Sequence, residues 1–219
     1  MERINNEYWP ALYFIDARGG VRHQVFGEGK YEQSEVVIQR LLAEAGARGI
    51  DNQVASVDAR GAEAAADWSE LESGENYLGY ERTENFASPG GVKADKPQAY
   101  ALSGQIKLNH WALSGEWTMG REAITLNQPN GRIAYRFHAR DLHLVMGPTA
   151  AKTPVRFRVS IDGHPPEVAH GVDVDAQGNG TVTEPRMYQL IRQPFPIVDG
   201  RFEIEFPDAG VEAFSFTFG

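Results

Sequence analysis

Residues Ala11-Leu12-Tyr13-Phe14-Ile15 form an unbroken apolar run, the pattern of a strand covered on both faces. After the turn Asp16-Ala17-Arg18-Gly19-Gly20, Val21, His23 and Val25 alternate with Arg22 and Gln24. That alternation predicts a second strand, and the two together a β-hairpin. From about Tyr31 to Ala45 the period changes. Val37, Ile38, Leu41, Leu42 and Ala45 recur at helical spacing, with Glu32 and Glu35 near the positive end of the helix dipole and Gly46 as a stop. Residues 1–46 therefore read as a ββα unit.

Residues 47–75 are rich in Ala, Gly, Asp and Glu, and read as a linker with a short helix over 62–72, anchored by Trp68 and Leu71. Beyond residue 76 helical periodicity gives way to strict alternation, which marks strands with one buried and one wet face. Ile133, Tyr135 and Phe137 point one way, and Arg136 and His138 the other. Leu142, Leu144 and Met146 alternate with His143 and Val145, and Val155, Phe157, Val159 and Ile161 alternate with arginines and Ser160. Phe202, Ile204 and Phe206 alternate with Glu203 and Glu205, and Phe214, Phe216 and Phe218 close the chain. Short strands joined by turns predict a mainly β fold, with a jelly-roll-like β-sandwich over 76–219.

Composition narrows the function classes. The chain of 219 residues is 42% hydrophobic and 23% charged, ordinary for a packed globular protein. Its net charge is −9, with no cluster of Lys and Arg, which argues against nucleic acid and anionic membrane surfaces as partners. There is no cysteine, so disulfides, thiolate zinc sites, iron–sulfur clusters and a cysteine nucleophile are excluded. Met1 to Tyr8 is polar, and no stretch approaches the ~18 apolar residues of a span. The expectation is a chain with neither signal peptide nor membrane span.

Asn6-Glu7-Tyr8-Trp9-Pro10-Ala11-Leu12-Tyr13-Phe14-Ile15-Asp16, followed by Gly20-Val21-Arg22 and Phe26-Gly27-Glu28-Gly29, resembles the second half of a thioredoxin-like domain. Asn85-Phe86-Ala87-Ser88-Pro89, Ala139-Arg140-Asp141-Leu142-His143-Leu144-Val145-Met146 and Phe214-Ser215-Phe216-Thr217-Phe218-Gly219 resemble the C-terminal region of the DipZ-type proteins linked to cytochrome c biogenesis. The resemblance implies a partial thioredoxin-like ββα unit at 1–46, a linker at 47–75 and a carbohydrate-binding-module-like sandwich at 76–219. It also implies a periplasmic or extracytoplasmic setting, although the residues leave the cytoplasm open. The family's Cys-x-x-Cys helix has no counterpart in this sequence.

Candidate sites follow. Trp9-Pro10 matches the family's cis-proline position, where the backbone pairs with substrate peptide; the competing reading is a turn that starts the strand. Tyr77, Tyr80, Trp111, Trp117 and Tyr188 offer ring faces for sugar C–H groups, with Arg186 or Asn109 as polar partners; the competing reading is core packing. Asp173 to Gly180 has the look of a calcium loop, with Glu184 at the twelfth position, but no flanking helices are visible and a hairpin turn reads better. The six histidines show no metal-ligand spacing, and neither a Ser-His-Asp order nor a nucleophile elbow appears. No catalytic residue, metal or cofactor is expected.

Two functions compete. One is a non-catalytic module binding a carbohydrate or a protein partner. The other is a fragment or subunit of a thiol–disulfide oxidoreductase whose cysteines lie outside this chain. The apolar strand 11–15 has a bare edge, and a bare edge pairs with other chains. Three outcomes would cover it: a second copy adding its strand, the other half of a thioredoxin-like sheet on a separate polypeptide, or the linker 47–75 folding back through Trp68 and Leu71. The homodimer is preferred because it needs no unseen partner.

Overall fold

In the computed structural model, residues 11–26, 31–51, 53–54, 66–67, 69–102, 104–150 and 153–219 are described. The chain divides into two compact units, Met1–Ala65 and Ala66–Gly219.

In the first unit, β1 (Ala11–Ile15) and β2 (Val21–Phe26) form an antiparallel hairpin, and α1 spans Tyr31–Glu44. The hairpin turn is closed by Asp16, whose Oδ1 accepts the N–H groups of Arg18 and Gly20, both at 2.9 Å. Arg22 donates to Glu44 at 2.8 Å and so ties β2 to the end of α1. Val25 is buried, but Leu12, Ile15, Val21, Val36 and Ile38 are exposed. Trp9 and Pro10 lie outside the described residues.

The helix expected over 62–72 is not present at 66–67 or 69–72. Asp67 there accepts the N–H of Ser69 at 3.3 Å and its hydroxyl at 2.7 Å, a local side-chain bond that competes with helix formation. Positions 62–65 and Trp68 are not among the described residues.

The second unit is mainly β. Its strands are β3 (Asn76–Tyr77), β4 (Pro97–Tyr100), β5 (Trp111–Met119), β6 (Ile124–Leu126), β7 (Gly131–Phe137), β8 (Asp141–Pro148), β9 (Val155–Ile161), β10 (Asn179–Val182), β11 (Arg186–Arg192), β12 (Gly200–Phe206) and β13 (Val211–Phe218). One curled sheet runs β10-β9-β12-β7-β5-β6-β13-β8-β11, with β3 on β13 and β4 on β5, and all these pairs are antiparallel. Strand β5 belongs to both halves. Trp111 to Ser114 pairs with β7, and Gly115 to Met119 with β4 and β6. The bend falls at Gly115, where φ is +93° and a Cβ would lie 2.9 Å from Gly131 Cα. Only glycine meets both conditions. The sheet thus folds over itself as a β-sandwich.

The core matches the alternation closely. Ile133, Tyr135, Phe137, Leu144, Val155, Phe157, Val159, Phe202, Ile204 and Phe216 are buried, while Ile161 and Phe218 are half-buried and pack against the core. Phe214 departs from the pattern. The register of β13 against β8 shifts between Ala213 and Ser215, so Phe214 is half-buried and Ser215 is buried instead. A bulge sets two residues opposite one, and alternation cannot anticipate it.

Candidate functional site

The predicted aromatic platform separates into core and surface. Trp111, Trp117 and Tyr188 are fully buried, so no sugar ring reaches them. Each spends its polar atom on backbone: Trp111 Nε1 donates to Glu84 O at 3.0 Å, and Trp117 Nε1 to Ser114 O at 2.8 Å. The Tyr188 hydroxyl donates to Glu184 O at 2.9 Å and accepts the Thr183 N–H at 3.0 Å. Large amphipathic rings in strands between two sheets fill the core and satisfy their own polar handle. Arg186 lies 3.8 Å over the Tyr188 ring and donates to Asp173 at 2.6 Å, locking the start of β11. Asn109 accepts from Ser73 at 2.6 Å and donates to Glu72 O at 3.0 Å, a brace between loops.

Asp173–Gly180 is a tight turn with its carboxylates committed. Asp175 Oδ1 accepts the N–H groups of Gln177 at 3.0 Å and Asn179 at 2.8 Å, and Asp173 Oδ2 accepts the Gln189 N–H at 2.8 Å. Among the described residues no group of three or more His, Asp or Glu is placed to hold a metal ion.

Tyr77 and Tyr80 remain half-exposed. Tyr77 sits on β3 between the buried Asn76 and Leu78, so its ring faces outward. Its hydroxyl donates to Glu75 at 2.9 Å, and the Arg82 guanidinium lies 3.5 Å from the ring centroid. That stacking holds the cation against the ring and leaves its outer N–H edge for a ligand. Arg82 forms no salt bridge among the described residues.

Two clefts share Tyr77 and Arg82. One, of about 380 Å³, is completed by Gly79, Glu81, Arg121, Glu122, Phe214 and Ser215. The other, of about 420 Å³, is completed by Glu75, Asn76 and Glu84. The local backbone explains the wall of the first. The Tyr80 N–H donates to Gly120 O at 2.9 Å and the Glu81 N–H to Arg121 O at 3.1 Å, which lays residues 79–81 against the 120–122 turn. The approach is so close that a Cβ on Gly79 would meet Glu122 backbone carbon at 2.3 Å. The bulge supplies Phe214, whose carbonyl accepts the Leu78 N–H at 2.8 Å. Arg121 donates to Glu81 at 2.5 Å, and this bond holds the Glu81 carboxyl below the usual carboxylate range. Tyr80 is set apart by its bond to Asp95 at 3.1 Å, which raises its phenol pKa.

Sequence patterning finds Tyr77 as an aromatic candidate but misses Arg82 and Phe214. Arg82 carries no periodic signal, and Phe214 reads as core until the bulge is seen. Together the clefts offer an aromatic face, a stacked guanidinium and several carboxylates. This is a set that orients hydroxyls and packs C–H groups.

A polar layer lies on the outer face of β8 and β11. Asp141, His143 and Gln189 are buried there, His143 directly opposite Gln189 in register. Asp141 accepts from Arg140 at 2.7 Å and Gln189 at 3.3 Å. Burial lowers the His143 pKa from 6.5, opposed by Asp141 and Asp173 and reinforced by Arg192 and Arg140. The folded chain therefore takes up this proton later than the unfolded chain as pH falls. Stability linked to His143 is complete above the unfolded value and is lost as pH drops from about 6.5 toward the folded value. His143→Gln is expected to flatten that part of a denaturation-midpoint-against-pH curve; an unchanged slope would refute the assignment.

Residues 73–219 match the family described as thioredoxin like C-terminal domain, and the chain belongs to that family. It is similar to Protein DipZ of Mycobacterium bovis and of Mycobacterium tuberculosis, in each case 28% identical over 214 residues. Those matches cover 98% of this chain and 28% of each relative, so the chain spans little more than a quarter of their length. Among solved structures, a family two carbohydrate esterase from Cellvibrio japonicus matches 49% of this chain and 30% of its own, with a TM-score of 0.36 and 15% identity. Among the described residues no helix is long and apolar enough to cross a membrane.

Proposed function

We propose that this chain is a non-catalytic, extracytoplasmic recognition module of a DipZ-like thiol–disulfide protein, and that its sandwich binds carbohydrate at the Tyr77–Arg82 clefts. The observation that carries this reading is the outward Tyr77 ring with Arg82 stacked 3.5 Å from its centroid, standing between two carboxylate-lined clefts. Thiol–disulfide exchange needs a thiolate, and the chain has no cysteine. Titration calorimetry against a panel of neutral oligosaccharides tests the site. Tyr77→Ala and Arg82→Ala are each expected to weaken the best ligand about tenfold or more, the loss of a stacking face or a charged hydrogen bond. Parental affinity retained in either variant would sink the proposal.

A second interaction belongs to the first unit and rests on exposed apolar residues. Strand β1 pairs with β2 on one edge, and among the described residues no strand pairs with the other. Leu12 and Ile15 are 42% and 51% exposed beside that edge. We propose that a second copy pairs there about a two-fold axis, because an antiparallel edge is complementary to itself. Sedimentation at micromolar concentration is expected to show a dimer that Leu12→Lys dissociates. A monomer throughout would reject it.

A further inference from the structure

The outer face of the half-sheet β10-β9-β12-β7-β5 carries a second polar surface, on different strands from the Tyr77 clefts. Phe157 and Val159 are buried, so Arg158 points outward between them, and Glu205 and Arg132 do the same on β12 and β7. Strand register sets these side chains in one row: Asn179 opposite Arg158, Arg158 opposite Glu205, Glu205 opposite Arg132, Arg132 opposite Ser114. The row crosses the strands, with neighbours one strand spacing of about 4.8 Å apart. Two adjoining clefts of about 280 and 490 Å³ lie along it, and both are lined by Arg158 and Glu205.

Every arginine named on this face except Arg158 has a carboxylate partner, and Arg132 spans two, reaching Glu203 at 3.9 Å besides Glu205. Arg132 meets Glu205 at 3.0 Å, Arg136 meets Asp199 at 3.3 Å, Arg156 meets Asp208 at 2.8 Å, and Arg201 meets Glu203 at 2.8 Å. Arg158 forms no salt bridge among the described residues. Its one hydrogen bond there runs from Nε to Gln177 O at 3.3 Å, which fixes the side chain and leaves the terminal nitrogens toward the clefts. A guanidinium held in place without an anion is a carboxylate receptor, since its fork matches both oxygens.

We propose that this row is a binding site for an acidic glycan, with Arg158 anchoring the carboxylate of a uronate sugar and Glu205, Ser160 and Asn179 binding the hydroxyls around it. Ser160 lines one cleft and Asn179 the other. Arg158 and Arg132 stand two strands apart, roughly 9–10 Å, close to one disaccharide repeat of an extended chain. An acidic peptide fits less well. Extended peptides gain specificity from pockets for alternate side chains, and the strand residues along this row are polar or charged.

The test uses the whole chain, three probes (a hexameric oligogalacturonate, a neutral hexaose of equal length and a Glu-rich peptide of equal charge) and one comparison variant, Tyr77→Ala. The oligogalacturonate is expected to bind, more weakly as salt rises, and to lose about tenfold or more in Arg158→Gln. Arg158→Lys should recover only part, because the ammonium keeps the charge but not the fork. Tyr77→Ala should bind it as the parent does. No binding of the oligogalacturonate would overturn the proposal. So would binding indifferent to Arg158, tighter binding of the peptide, or loss in Tyr77→Ala, which would move the uronate to the other clefts.

Discussion

Phe216→Ala is expected to cost about 3–5 kcal/mol, the range for a buried aromatic truncated to a methyl group. Phe216 is fully buried, and its ring centroid lies 5.0 Å from Tyr135 and 6.0 Å from Phe202, so truncation opens a void between strands of both halves of the sheet. The neighbouring Phe214→Ala should cost only about 1 kcal/mol, because the bulge has already turned that ring toward a cleft. Urea denaturation of both variants measures the contrast. Similar losses in the two would mean that β13 keeps unbroken alternation and that Phe214 is not part of the cleft wall.

Gly79→Ala is the second large effect. A Cβ there would sit 2.3 Å from Glu122 C and 2.4 Å from its Cα, and both are backbone atoms that no rotamer change can move. Accommodation requires residues 79–81 to part from the 120–122 turn, which breaks the Tyr80-to-Gly120 and Glu81-to-Arg121 backbone bonds. The cost should reach the upper end of the ~1–3 kcal/mol seen for overpacking, with the unmade hydrogen bonds added. Carbohydrate affinity should fall as well, since Arg121 and Glu122 line the same cleft as Tyr77. A variant of parental stability that still binds ligand would contradict the close approach.

Much of the fold is legible in the sequence because alternation reports burial directly. Strands such as Val155–Ile161 and Gly200–Phe206 carry apolar residues on one face and arginine or glutamate on the other. The ββα unit is equally plain: a five-residue apolar run, a glycine turn and a helical repeat. What alternation cannot report is a break in register. The bulge in β13 and the switch of β5 at Gly115 depend on backbone geometry, and each redirects the side chains that follow. The polar layer is hidden for a related reason. His143 alternates like a wet residue, yet β8 is covered on both faces at that point.

The candidate site is legible only in part. Aromatic content flags Tyr77 and Trp117 alike, because a ring that packs a core and a ring that packs a sugar are the same ring. Burial decides between them: Trp117 lies between the sheets and Tyr77 on a two-residue strand at the margin of β13. The leftover charge of Arg158 is invisible in sequence for a different reason. It emerges only when the fold brings each neighbouring arginine within reach of a carboxylate and leaves Arg158 without one among the described residues. Both features lie within Ala66–Gly219, so the recognition proposed for the sandwich draws on residues of that unit alone.

The measurement that bears most directly on the role proposed for the sandwich is a backbone-amide NMR titration of the chain with the best neutral oligosaccharide from the panel. Chemical-shift changes are expected to cluster at residues 75–84, 121–122 and 214–215, and to vanish in Tyr77→Ala while the rest of the spectrum stays parental. Saturable shifts confined to any other surface, or no saturable shifts with any oligosaccharide of the panel, would contradict it.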